Sequence, residues 1–296
     1  MHNHRDIFSP AAVICFSGSC VPHTLEYNRS ISGSSEKELF MKMSDLKTYL
    51  SEGMTEVIKE RNGKVMSKYV EIGYPIYDGM GVYPGLPIPT VKLREDLQKG
   101  DRWNGSVLDI YLHAGTHCDA PWHYMGDNAP MMDDVEALPT ESFVYDHPLM
   151  IDCPFKEKNG IITIDMIKKY GDEIYKADMF IFNTNSWPKR SVDFKAYGTD
   201  FAALGAEAAE WIRAELPNIK AVAIDTLSIE NIAIGKTNGF RTHKGLLDPA
   251  KGVNTVRIYE DINPEPLIGK KILKAFCSPL RIHGDACICN IICEVE

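Results

Sequence analysis

His113-Ala114-Gly115-Thr116-His117-Cys118-Asp119-Ala120-Pro121-Trp122-His123 gathers three of the chain's nine histidines and a carboxylate into one short segment. Imidazole nitrogen and carboxylate oxygen are the ligands preferred by zinc and by manganese-like divalent ions. The spacing adds to the composition. His113, His117, Asp119, Pro121 and His123 share odd parity, so an extended strand would turn all five to one face. A helix would place Asp119 on another side, and Gly115, Thr116 and Pro121 oppose a continuous helix. A straight strand fails too. At roughly 3.3 Å per residue, His113 and His117 would stand about 13 Å apart, too far to share an ion at bond lengths of about 2.0–2.2 Å. The segment must therefore bend, and Gly115 permits it. The expected path is a strand ending near His113, a kinked Gly-Thr turn, then His117 and Asp119 on one side. Pro121 turns the chain again and returns His123 over the site.

The rest of the composition sets bounds. The chain has 296 residues, room for one large domain or two smaller ones. With 32 Lys and Arg against 41 Asp and Glu, its net charge of −9 argues against non-specific binding to nucleic acid or a membrane surface. No apolar run approaches the ~18–20 residues that span a bilayer. The patch Ala11 to Phe16 is too short and too weakly cationic for a secretory signal. Eight cysteines give no dense disulfide framework, so reduced thiols in a cytoplasm are expected. Cys287, Cys289 and Cys293 lie in a run that reads as a buried strand, where cysteine serves as a small hydrophobe.

Along the chain, residues 1 to about 43 show no sustained period, and a helix is expected near 44–60 on Leu46, Leu50, Met54 and Ile58. The character changes near Met66, which divides an N-terminal extension (1–65) from a compact unit (66–296). Strands are expected at Tyr69 to Ile72, Phe143 to Asp152, Asp178 to Asn183 and Lys220 to Asp225, with two more between Ile272 and Val295. Helices are expected from Thr163 to Tyr170 and from Ala206 to Leu216, the latter with Ala208, Trp211, Ile212 and Leu216 on one stripe. The alternation points to an α/β fold.

The segment His113 to His123 resembles the signature of the cyclase-like metal-dependent hydrolases, which include kynurenine formamidases and isatin hydrolases. The likeness runs from about Met66 to Glu296. Tyr83-Pro84-Gly85 resembles the family's aromatic-Pro-Gly turn, and Asn183-Thr184-Asn185-Ser186-Trp187 its R-T-G-W segment, with Asn185 where Gly is usual. Ala206 to Ile212, Ile224-Asp225-Thr226-Leu227-Ser228, Pro279 to Ile282 and Asp285-Ala286 follow the pattern as well. Ile288 and Asn290 depart from it, on the substrate side.

The resemblance implies a swivelling β/β/α-type α/β fold with a mixed, barrel-like sheet and flanking helices. It also implies a homodimer or homotetramer and one or two divalent ions, zinc or manganese, per subunit. By resemblance His113, His117 and Asp119 hold the first ion, and His123 is the general acid/base. His243 and Glu260, with Asp119 bridging, complete a second site; Asp261 competes with Glu260 for that position. A bound ion would lower the pKa of water from ~15.7 towards ~7 for attack on an amide or formamide carbonyl, while His123 shuttles a proton to the leaving nitrogen. Tyr83, Trp122, Tyr124 and Trp187 are candidate walls for an aryl or cyclic substrate. The competing readings are a cyclase or lyase, and a non-catalytic metal-binding homologue. Residues 1–65 have no counterpart in the family pattern and are either an added segment or the product of an upstream start.

Overall fold

The structure, a computed structural model, describes residues 68–124, 133–251 and 254–296 and the backbone of two short strands near the N-terminus. The chain divides into two units, Met1–Lys59 and Glu60–Glu296. In the first, β1 (Val13–Phe16) and β2 (Ser19–Pro22) pair antiparallel. The helix expected near 44–60 lies outside the described residues.

The second unit begins with β3 (Lys68–Glu71), a separate hairpin of β4 (Thr90–Glu95) and β5 (Gly105–Asp109), and then β6 (His117–Asp119). β7 (Val144–Tyr145), β8 (Pro148–Asp152) and β9 (Ile161–Ile162) follow. Next come α1 (Ile164–Lys168), α2 (Glu173–Lys176), β10 (Met179–Asn183), α3 (Trp187–Val192), α4 (Phe194–Thr199) and β11 (Ala203–Leu204). α5 (Ala206–Glu215), β12 (Ala221–Ile224), α6 (Ile232–Asn238), α7 (Arg241–Leu247) and β13 (Arg257–Glu260) continue the alternation. β14 (Ile272–Pro279) and β15 (Ala286–Val295) end it.

Nine of these strands form one nearly closed mixed sheet, in the order β7-β14-β15-β6-β13-β12-β10-β8, with β3 also on β15. The expected α/β architecture is present. β8, β10, β12 and β13 are parallel, and β10 and β12 read as apolar runs because both their faces are covered. On one face Phe180, Phe182, Val222 and Ile224 pack against Ala208, Ala209 and Ile212 of α5. Each fully buried Phe or Ile contributes about 1.5–3 kcal/mol. On the other face Met179, Ile181, Ala221 and Ala223 share a core with Tyr259, Cys118, Cys277, Cys289 and Cys293. The cysteines in this core act as small hydrophobes; burial pushes the Cys118 and Cys293 thiols up to about 12.

One predicted strand is corrected. Phe143 to Asp152 is two strands, β7 on β14 and β8 on β10. The buried Asp178 carboxylate accepts the backbone N–H groups of Asp146 (2.8 Å) and His147 (2.9 Å), which turns the chain between them. Among the described residues no helix is long and apolar enough to cross a membrane.

Candidate metal centre

The kink predicted at Gly115 is present, and it precedes the strand. Gly115 has φ +72°, a backbone conformation that favours glycine, and a Cβ there would also meet the flexible end of Met80 at 2.7 Å. His113 lies in the turn before the kink, not at a strand end as expected. The ladder starts only at His117, where β6 finds β13 on one side and β15 on the other. Within β6, His117 and Asp119 face the same way around Cys118, and Pro121 opens a 3-10 turn, Pro121–Tyr124, that carries His123 back.

Register supplies the next group. β13 runs antiparallel to β6 with Glu260 opposite His117, the closest relation two strands offer. His243 arrives from α7, which packs on α5. The result is a continuous row of side chains. His113 Nδ1 lies 3.0 Å from Asp119 Oδ1, and His117 Nε2 lies 3.3 Å from the same oxygen. His117 Nε2 is also 3.4 Å from Glu260 Oε2, and His243 Nε2 is 3.6 Å from Glu260 Oε1. The candidates His113, His117, Asp119, Glu260 and His243 are thus brought together. Asp261, the competitor of Glu260, points away to Arg190.

Both carboxylate oxygens of Asp119 and Nε2 of His117 are buried without a hydrogen-bond partner. Unpaired buried polar atoms are costly, and a carboxylate most of all. A divalent cation among them would satisfy all three, so the residues present fit such an ion. Ligand atoms of His113, His117 and Asp119 lie within 4.8 Å of one another, as do those of Asp119, His123 and His243.

Each histidine is held from outside by an acceptor on its other nitrogen, the usual support for a metal ligand. His117 Nδ1 bonds to the Gly115 carbonyl at 2.8 Å, so the kink also orients the ring. His243 Nδ1 meets Glu230 Oε2 at 2.8 Å. His113 Nε2 and His123 Nδ1 both meet Asp285 Oδ2 at 3.0 Å. Asp285 and Glu230 were not identified as site residues from sequence. Asp285 is visible there only as part of a closing segment, and it lies 162 positions from His123.

Charges in the cluster shift one another. Burial opposes a charge on His113, but Asp119 and Asp285 outweigh it and raise its pKa from the usual 6.5 to about 9. Burial likewise opposes charge on His243, and Glu230 and Glu260 raise it to about 9. His117 is raised well above its usual value by Asp119 and Glu260 despite complete burial. Burial and the Asp119 charge push Glu260 up, yet His117 and His243 bring it down from 4.5 to about 2. Asp119 lies well below its usual value, as burial is overcome by His123, His113 and His117. His113 and His123 also hold Asp285 low. A cluster with this much negative charge beside basic imidazoles suits a cation.

Behind the centre a closed ring of contacts ties its two strands together. Tyr74 N–H donates to Thr116 Oγ1 at 2.8 Å, and Thr116 Oγ1 donates to the Asp261 carbonyl at 2.5 Å. Arg190 binds the Asp261 carboxylate through Nε (2.8 Å) and Nη2 (2.9 Å), and its guanidinium lies 3.9 Å from the Tyr74 ring centroid. Tyr197 Oη adds a 2.7 Å bond to Asp261. Thr116 precedes His117 and Asp261 follows Glu260, so the ring acts on both ligand strands next to their ligands. Asp261 has φ +53°, a strained value for a non-glycine residue.

In front of the centre is a cavity of about 270 Å³ that contains His113, His123, His243 and Glu260. Tyr83, Tyr111, Tyr124 and Phe240 supply its aromatic surface. Of the expected substrate walls, Tyr83 and Tyr124 line it. Trp122 and Trp187 are not among its described lining residues. In the 3-10 turn successive side chains diverge, so His123 and Tyr124 face the cavity and Trp122 does not. Trp187 starts α3, where its backbone N–H donates to Asp225 Oδ2 at 3.2 Å.

A nearly closed mixed sheet with a histidine–carboxylate cluster at β6 and β13 defines an α/β protein whose clustered side chains could hold a metal ion. Residues 70–231 match the family described as "Putative cyclase", and the chain belongs to that family. It is 24% identical over 223 residues to a kynurenine formamidase from Erythrobacter litoralis, covering 75% of this chain and 91% of that one. It is 28% identical over 145 residues to Cyclase-like protein 1 of Arabidopsis thaliana, 49% of this chain and 54% of that protein. The chain thus spans about half the length of the first curated relatives it matches. Among solved structures, isatin hydrolase A from Labrenzia aggregata bound to benzyl benzoate shares the fold, with TM-score 0.64 and 17% identity over 86% of this chain and 99% of that one. A structure described as a potential metal-dependent hydrolase with cyclase activity has TM-score 0.56 and 25% identity, over 78% and 99% of the two chains.

Proposed function

We propose that the protein is a metal-dependent hydrolase that cleaves a carbon–nitrogen bond in a small aryl or cyclic amide or formamide. The observation that carries this reading is Asp119, a fully buried carboxylate with no hydrogen-bond donor on either oxygen and with His113, His117 and Glu260 around it. His113 Nδ1, His117 Nε2 and Asp119 would hold one zinc or manganese ion, and His243 and Glu260 a second beside Asp119. When bound, such an ion supplies Lewis-acid polarisation of a carbonyl and a water that ionises near neutral pH.

The protein's own groups do the remainder. His117 and His243 are fixed by the Gly115 carbonyl and Glu230, so they meet the reacting centre already oriented. His123 is tied to Asp285 through Nδ1, which leaves its second nitrogen to carry a proton to the leaving nitrogen as the C–N bond breaks. The aromatic cavity surface excludes water from a flat substrate. The Erythrobacter formamidase and the Labrenzia isatin hydrolase support this substrate class. A cytoplasmic homodimer or homotetramer belongs to the same proposal, and its free, buried described cysteines fit a reducing compartment.

The test is metal analysis with a hydrolysis assay on formanilide, N-formylkynurenine and isatin. His117→Ala and Asp119→Ala should lose metal and activity together, whereas His123→Ala should keep metal and lose turnover. Full activity in metal-free protein would sink the proposal. Light scattering tests the assembly.

A further inference from the structure

Phe240 sits in a conformation that its side chain disfavours. Its φ is +58°, directly after Gly239 at +73°, so two successive left-handed residues join α6 to α7. That region is natural for glycine and tolerable for asparagine, and it is a genuine outlier for a bulky residue. The turn itself therefore does not call for phenylalanine. Core packing does not call for it either, because the ring is only half-buried and borders the cavity.

The ring is nevertheless carefully accommodated. A Cβ on Gly235 would come within 2.6 Å of Phe240 Cδ1, so Gly235 makes room for it. Its centroid lies 5.6 Å from Tyr124, tilted by 43°, and Tyr124 in turn stacks on His243 at 4.5 Å and 29°. A layered aromatic series thus runs from the ligand set out into the cavity. Among the described lining residues the only charged groups are Glu260 and the histidines of the centre; the rest are apolar, phenolic or hydroxyl. The neighbouring Arg241 is engaged by Glu207 and Glu210.

We infer that Phe240 is the specificity-determining residue for a planar, uncharged ring in the substrate, providing the aromatic face on which that ring lies. This rests on the hydrolase reading of the same site and names the part of the substrate that the cavity selects. It also accounts for backbone strain at a position where a glycine would fold without it.

The experiment uses the full, metal-loaded chain and two pairs of neutral compounds matched except for planarity. Formanilide and N-cyclohexylformamide are compared by kcat/KM, acetophenone and cyclohexyl methyl ketone by equilibrium binding. Phe240→Leu and Phe240→Gly should each lower the preference for the planar member by about three- to tenfold, the range expected for one aromatic contact. Phe240→Tyr should retain it. Phe240→Gly accepts the left-handed turn, so it separates loss of the ring from disruption of the loop. An unchanged preference in Phe240→Gly, or equal losses on both members of a pair, overturns the inference. If the wild-type protein hydrolyses neither these formamides nor N-formylkynurenine or isatin, the hydrolase reading fails, and the ketone pair still decides the role of Phe240.

Discussion

Asp285 joins two histidines that the rest of the site uses differently. One oxygen receives both His113 Nε2 and His123 Nδ1, each at 3.0 Å, so one carboxylate orients the proposed ligand and the proposed proton carrier together. Removing its charge should disturb both. Asp285→Asn is expected to lower metal affinity or turnover by about 10–100-fold, the usual consequence of losing an outer partner. Metal titration and steady-state kinetics on the same preparation read the two effects separately; unaltered values for both would rule the role out. The His113–His123 spacing marks the histidines plainly, whereas nothing local marks Asp285, because its partners come from a distant segment. The choice between Glu260 and Asp261 is likewise unresolved in sequence. Side-chain alternation in β13 and its register with His117 make Glu260 the inward carboxylate.

At the scale of elements, β6 is short but central, since it pairs with β13 and β15 and contributes two of the proposed ligands within three residues. Its position relative to β13 is maintained from behind by the Tyr74–Thr116–Asp261–Arg190 ring. The Arg190 and Asp261 side chains are 8% and 1% exposed, so the pair is not a solvent-screened surface bridge. Arg190→Met leaves the Asp261 carboxylate buried without its bidentate partner and should cost about 3–5 kcal/mol. Arg190→Lys should recover only part, since an ammonium cannot reproduce the fork. Denaturant unfolding measures the stability change. A parallel metal titration should show weakened binding, and unchanged affinity would mean that the ring stabilises the fold without positioning Glu260.

For the whole molecule, the unbalanced charges of the centre set a pH window. Glu260 is depressed from 4.5 to about 2, so its contribution to stability is complete above about pH 4.5 and is lost as pH falls towards 2. His113 and His243 are raised from 6.5 to about 9, so theirs is complete below about pH 6.5 and is lost as pH rises through 9. Metal-free protein should therefore be most stable between about pH 4.5 and 6.5, measured as Tm across pH 3 to 10. A divalent ion requires these imidazoles unprotonated, so loading at pH 7 should release protons and raise Tm, with affinity increasing towards pH 9. Titration calorimetry in buffers of different ionisation enthalpy counts the protons. A Tm maximum near pH 9 in metal-free protein would contradict the assignment.

The sequence by itself determined those features whose causes are local. The gathering of three histidines and Asp119 into one segment is read from residue type and spacing, and the Gly115 kink from a length argument that its φ of +72° bears out. The parallel strands Met179–Asn183 and Ala221–Ile224 are legible as apolar runs because both faces are buried. Only the tertiary structure decided what depends on register and on distant segments meeting. It placed Glu260 opposite His117, brought Asp285 and Glu230 to the outer nitrogens, and divided Phe143 to Asp152 at Asp146 and His147, held by Asp178. It also put Tyr111 and Phe240, and neither Trp122 nor Trp187, among the described residues that line the cavity. The physical reason is the same throughout. Spacing along a chain encodes which way neighbouring side chains point, but partners on other elements, from 13 positions apart for Glu230 and His243 to 172 for His113 and Asp285, are chosen by strand pairing and packing, which spacing alone does not contain.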